Sequence, residues 1–231
     1  MVVERDLLIS LLKLTKNGGV THESVYRDAR VPSSVGLKLL QKLQNANLVY
    51  LNDGAIDVDS NSRLQLGVRA VELGADVERV SDFLDWQEFE AITALALEQN
   101  GYRVAKNVRF KHAGRRWEID VVGCRKPLVV CVDCKHWRHG ISPSVLAKIV
   151  TAQADRVEAL ADFLPGMSVK VECTNWDRAK FVPVILSLVP SRFKFYDNVP
   201  VVPVLQLQDF LSQLPAYLDS LKCFFKEFRH L

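Results

Sequence analysis

No apolar run in this 231-residue chain approaches the ~20 residues a helix needs to cross a bilayer. No secretory leader is evident either. MVVERDLLISLLKL carries acids where a leader is purely basic, and it has no small-residue cleavage site. A disulfide framework is not expected: five cysteines, an odd count without a leader, argue for reduced thiols, and the chain reads as a cytoplasmic protein. A strong charge of one sign is missing. The formal net charge of +3 does not by itself announce a nucleic-acid or membrane partner. Repeats and low-complexity tracts are absent. What remains reads as soluble and globular, with 48% hydrophobic and 25% charged residues, and long enough for one large domain or two small ones.

The most informative residues that are present lie in GRRWEIDVVGCRKPLVVCVDCKHW. Two β-rich runs, 116–122 and 128–135, flank a turn-like segment 123–127. The first carries Asp120; the second carries Asp133 and Lys135. Strand side chains alternate, so Asp133, Lys135 and Cys131 are predicted on one face. An acid and a lysine interrupting a run as apolar as PLVVCV make a poor core. They make a good metal-assisted hydrolytic site, with two carboxylates for a divalent cation and an ammonium for charge on an attacked phosphate. The bland alternative is a structural Lys–Asp pair, worth ~0–1 kcal/mol at a surface. Cys131-x-x-Cys134 has zinc or redox spacing, but residues three apart on a strand face opposite ways, and no second pair matches it.

Residues 1–59 are expected to form a winged helix-turn-helix, with helices over 4–14, 21–31 and 33–47 and a hairpin, LVYL–NDG–AIDV, turned by Asp-Gly. The third helix turns Ser34, Lys38, Gln41, Lys42 and Asn45 outward. That face suits a DNA major groove, or alternatively a protein partner, because acids and bases balance across the region. Residues 60–85 read as a rigid helical connector. Residues 86–231 read as the second domain: a helix over 86–100, strands over 102–111 and the two runs above, and a helix over 144–163. Further strands are predicted over 169–173, 181–188 and 201–205, and a helix with a break at Pro215 over 207–230.

Three more residues join the set. Glu90 lies at the inner margin of the apolar face of its helix, where a carboxylate needs a partner; it could equally be a solvated helix glutamate. Gln153 interrupts the stripe Leu146, Ile149, Val150, Val157 and Leu160, as site machinery or as a satisfied core amide. Glu118 is an additional ligand or an ordinary charge paired with Arg116 or Lys135. Basic residues crowd the same region, among them Arg103, Lys106, Arg109, Lys111, Arg115, Arg116, Arg125, Arg138 and Lys148. That concentration suits a polyanion gripped along its backbone.

Phe89-Glu90, Ile119-Asp120 and Asp133-Cys134-Lys135, in this order, resemble the signature of the PD-(D/E)XK nuclease superfamily. The likeness is greatest to the Mrr-type restriction endonucleases and the archaeal Holliday junction resolvases. It covers residues 86–188, with the winged helix over 4–58. It departs where Glu118-Ile119-Asp120 stands in place of Pro-Asp, and it lacks a Gly-Ile-Asp run. The resemblance implies an α/β fold: a winged helix followed by a restriction-endonuclease-like core, a central mixed sheet flanked by helices. It implies a DNA endonuclease using Mg²⁺ or Mn²⁺. Asp120, Asp133 and the backbone carbonyl of Cys134 would hold the ion, Lys135 would act on water and developing charge, and Glu90 would reach the metal through water or bind a second one. Arg115, Arg116 and Arg138 are further DNA-binding candidates, and a homodimer would let both strands be cut. The rival from another class is a DNA-binding regulator or scaffold with a core that no longer cuts. An RNA-directed nuclease is a third reading, without an evident RNA-module aromatic signature.

Overall fold

A computed structural model describes residues 2–76, 79–80, 82–135, 141–164, 171–187 and 191–228. They divide into two compact units, Met1–Ile92 and Thr93–Leu231. No described helix is long and apolar enough to cross a membrane.

The first unit runs α1 (Val2–Leu14), β1 (Val20–Thr21), α2 (His22–Ala29), α3 (Ser33–Asn45), β2 (Tyr50–Asn52), β3 (Ala55–Asp57) and α4 (Ser60–Glu72). The i, i+3, i+4 spacing of Leu7, Leu8, Leu11 and Leu12 explains α1, since all four are fully buried. Thr21 starts α2 by accepting the Ser24 N–H at 3.3 Å. Asp53 and Gly54 both take positive φ, +41° and +83°, which is the conformation a two-residue hairpin turn needs. The strands order β1-β3-β2. Gly36 and Leu40 of α3 are buried, while Ser34, Lys38, Gln41, Lys42 and Asn45 are exposed. Gly36 is required here, because a Cβ would sit 2.3 Å from the Tyr26 ring.

Helix α5 (Trp86–Gln99) begins in this unit with a reciprocal cap. Asp85 accepts the Glu88 N–H at 2.9 Å, and Glu88 Oε2 accepts the Asp85 N–H at 2.8 Å. The other oxygen of Glu88 is in a buried ion pair with Arg63.

The second unit is built on a seven-stranded mixed sheet, counted among the described residues. Its members are β4 (Arg103–His112), β5 (Arg115–Arg125), β6 (Leu128–Lys135), β7 (Arg178–Ser187), β8 (Phe195–Tyr196), β9 (Val199–Pro203) and β10 (Phe224–Glu227). The path is β4-β5-β6-β7-β9-β8. β4, β5 and β6 are antiparallel; β6, β7 and β9 are parallel. β10 pairs with the first half of β7, and β9 with its second half. β6 is buried over Leu128–Cys134, which is why it reads as a continuous apolar run rather than an alternating one.

Helices cover both faces. On one, Thr93 Oγ1 of α5 lies 3.5 Å from Cys134 Sγ. On that face Leu97 sits so close over Gly123 that a Cβ there would meet it at 2.9 Å. On the other, α6 (Pro143–Phe163) buries Val157 and Leu160 against Val122, Cys124, Val129 and Cys131.

Three sequence expectations are corrected. β5 runs through Gly123 and Cys124, leaving only Lys126 and Pro127 as the turn. Residues 172–175 are not a strand but a 3₁₀ turn, Glu172–Asn175, closed by Thr174 Oγ1 donating to the Val171 carbonyl at 2.9 Å. Residues 169 and 170 lie outside the described set. The C-terminal run is not helical throughout. α7 ends at Tyr217 with Pro215 inside it (Leu207–Tyr217), and β10 follows after a 3₁₀ turn, Leu218–Ser220.

Candidate active site

The site forms where the sheet splits. The β5–β6 ladder ends at the pair Val121↔Val132. One residue further on stand Asp120 and Asp133. Beyond that point β5 pairs only with β4, and β6 continues with β7 through Asp133↔Ile185, Cys134↔Leu186 and Lys135↔Ser187. On the other side of Asp120, Asn107 of β4 drops out of its ladder with φ +51°.

A split sheet leaves backbone donors that need partners. Asp120 supplies one: its Oδ2 accepts the Cys134 N–H at 2.8 Å. The Asp120 carboxylate is therefore pinned against the β6 backbone at the residue after Asp133. Simple alternation does not carry through this point. Ile119 shares its core cluster with Val122 and Cys124, so Glu118 and Asp120 do not extend one uninterrupted strand face.

Asp133 is buried at 4% exposure. Lys135, on the same side of β6, places Nζ 3.0 Å from Oδ1 as a hydrogen bond and 2.9 Å from Oδ2 as an ion-pair contact. Oδ2 receives no well-aligned hydrogen bond, so it has spare acceptor capacity. Arg156 of α6 donates from Nη1 to Asp133 Oδ1 at 3.1 Å. Arg156 also donates to Gln153 Oε1 at 3.2 Å, while Gln153 Nε2 donates to the Cys131 carbonyl at 2.9 Å. Gln153 is fully buried, as an amide in an apolar stripe must be if it is satisfied.

The structure thus brings Asp120, Asp133, Lys135 and Gln153 into one neighbourhood and adds Arg156. Arg156 escaped the sequence analysis because it reads as a solvated helix arginine. The available signal was its place one turn from Gln153 on the same helix face. Glu90 is 7% exposed on α5 and has an interaction partner; it falls in the first unit. Glu118 pairs with Arg109 across β4–β5 at 3.0 Å, rather than with Arg116 or Lys135, and both side chains are largely exposed. Arg115 lies at the exposed β4–β5 hairpin, stacked 4.0 Å over the Trp117 ring, with Arg116 exposed beside it. Lys42 on α3 contacts Glu4 at 3.4 Å. Arg138 lies outside the described residues.

The donors fit a hard divalent cation. Two carboxylates and a carbonyl, completed by water and a phosphate oxygen, are a normal Mg²⁺ set, and a dedicated protein cage is not required. Among the described residues no cluster of three or more His, Cys, Asp or Glu is placed to hold a metal. A thiolate site at Cys131 is disfavoured, because burial pushes that thiol well up and keeps it protonated.

Residues 81–161, which contain this constellation, match the Mrr_cat family model, described as a restriction endonuclease. Over that span, about a third of the chain, it is similar to the Mrr-type restriction endonucleases. A protein of Archaeoglobus fulgidus described as uncharacterized is 26% identical over 133 residues, covering 58% of this chain and 94% of its own. Among solved structures, VC1899 from Vibrio cholerae is 16% identical with a TM-score of 0.39, over 95% of this chain and 53% of that one. Can2 from Sulfobacillus thermosulfidooxidans, solved with cyclic tetra-adenylate, is 15% identical with a TM-score of 0.33, over 78% and 45%. The chain spans about half the length of those solved proteins. The matched span starts five residues before α5 and ends within α6, so it includes the split between β5 and β6.

Proposed function

We propose that this protein is a DNA endonuclease that hydrolyses phosphodiester bonds with Mg²⁺ or Mn²⁺. The observation that carries the reading is the placement of Asp120 and Asp133 at the end of one ladder, with Lys135 against Asp133, inside the span that matches the restriction-endonuclease family model. Bound between Asp120, Asp133 and the Cys134 carbonyl, the cation would neutralise phosphate charge and make water a better nucleophile. Asp120 is held for that task by the Cys134 N–H. Lys135, one quarter exposed, can turn from Asp133 to the attacking water or to charge on the phosphate. Glu90 belongs to the proposed set on the strength of the superfamily resemblance.

The first unit is proposed as a winged helix that assists DNA recognition. Support comes from the exposed polar face of α3, with Ser34, Lys38, Gln41 and Lys42. Arg115 and Arg116 would grip the DNA backbone. Cutting both strands calls for two sites, and a homodimer is part of this proposal.

The test is cleavage of linear, supercoiled and four-way-junction DNA by the native chain in Mg²⁺, in Mn²⁺ and in EDTA. Cutting in either metal and none in EDTA is the expected result. Binding of duplex DNA without cutting in any metal would favour the scaffold reading, and cutting of RNA alone would move the substrate class.

A further inference from the structure

We propose that Arg156 is an exchangeable counter-ion of the nuclease site. It balances Asp133 before a divalent cation binds and passes to the DNA phosphate afterwards. The inference rests on the nuclease reading given above and adds a device that couples metal loading to DNA grip.

Charge balance gives the reason. Asp133 is nearly inaccessible and has two cations against it, Lys135 and Arg156. A buried carboxylate without compensation is costly, so both contacts stabilise the metal-free state. A divalent cation held by the same carboxylate would make the site over-positive, and the weaker-held cation should leave. Arg156 has both a route out and a use outside. Its side chain is 28% exposed, so water reaches the guanidinium. Its contacts to Asp133 and Gln153 both come from Nη1, so Nε and Nη2 remain available as a fork for phosphate oxygens. Its base is fixed. Gln153 is fully buried and anchored to the Cys131 carbonyl, so the guanidinium pivots about a rigid helix.

An ordinary structural arginine would behave differently, and the difference has a sign. Mn²⁺ affinity is measured calorimetrically without DNA on the native chain, Arg156→Ala, Arg156→Lys and Asp133→Asn. Duplex DNA affinity is measured by fluorescence anisotropy in Ca²⁺ and in EDTA. Removing the competitor should tighten Mn²⁺ binding in Arg156→Ala by about fivefold, the scale of one partly exposed ion pair. DNA affinity should fall about tenfold in Ca²⁺ and change little in EDTA, where the native arginine is still engaged by Asp133. Arg156→Lys should lie between, which separates exchange from misfolding. Unchanged or weaker Mn²⁺ binding in Arg156→Ala overturns the proposal, as does an equal loss of DNA affinity in Ca²⁺ and EDTA. If the native chain shows no Mn²⁺ binding that Asp133→Asn removes, the nuclease reading itself fails, and the inference falls with it.

Discussion

Asp133→Asn should lower the single-turnover rate of DNA cleavage in Mg²⁺ by on the order of 10³-fold or more, with duplex binding retained in Ca²⁺. The substitution keeps shape and burial but removes the charge that a cation needs. Lys135→Ala should lose on the order of 10²–10³-fold, because it removes one electrostatic contact to the reacting phosphate rather than the metal site. Neither change should unfold the protein. Asp133 sits at the open end of the β5–β6 ladder, and the cations it would abandon, Lys135 and Arg156, each keep about a quarter of their side-chain surface in water. A native-like thermal transition together with lost cleavage is the expected pair of results. Retained cleavage in Asp133→Asn would remove this residue from the mechanism.

Arg63→Ala should destabilise the first unit by on the order of 3–5 kcal/mol, the range for breaking a buried ion pair from one side. Arg63 is 5% exposed and Glu88 2%. Besides Glu88, the guanidinium donates to the Leu12 carbonyl at 2.8 Å, Thr15 Oγ1 at 2.7 Å and the Phe83 carbonyl at 2.5 Å. These partners come from three segments of the chain, so the truncation leaves a buried carboxylate and two carbonyls without their donor. Glu88 also belongs to the cap of α5, so the damage should reach the start of the helix that leads into the second unit. Denaturant unfolding followed by hydrogen exchange over residues 2–92 measures the effect. A loss under about 1 kcal/mol, as expected for the exposed Lys126–Asp177 pair, would contradict it.

Arg63 also marks a limit of sequence reading. Nothing in NSRLQLGVRAVE distinguishes an arginine that is solvated from one that ties four segments together, because its partners are up to 51 positions away. The same limit hid Arg156, whose meaning depends on Asp133, 23 positions earlier. By contrast, Asp133 and Lys135 were legible because two charged residues in a valine-rich run break a local pattern. The hairpin turn at Asp53-Gly54 was legible because positive φ restricts the residue type at both positions. The C-terminal strand was not. Its apolar residues continue the spacing of the helix before it, and only pairing with β7, over 40 positions away, makes it a strand. The break at Asp120 was invisible as well. Strand alternation gives no sign of the residue where the β5–β6 ladder ends and a side chain replaces a backbone partner.

The central claim is that Asp120 and Asp133 share one divalent cation. Anomalous diffraction from crystals of the native chain soaked in Mn²⁺ tests it directly. The expected result is a peak bonded to a carboxylate oxygen of each residue at about 2.0–2.6 Å, with those two oxygens roughly 4–5 Å or less apart. A peak elsewhere, or two carboxylates too far apart to bind one ion, would contradict it.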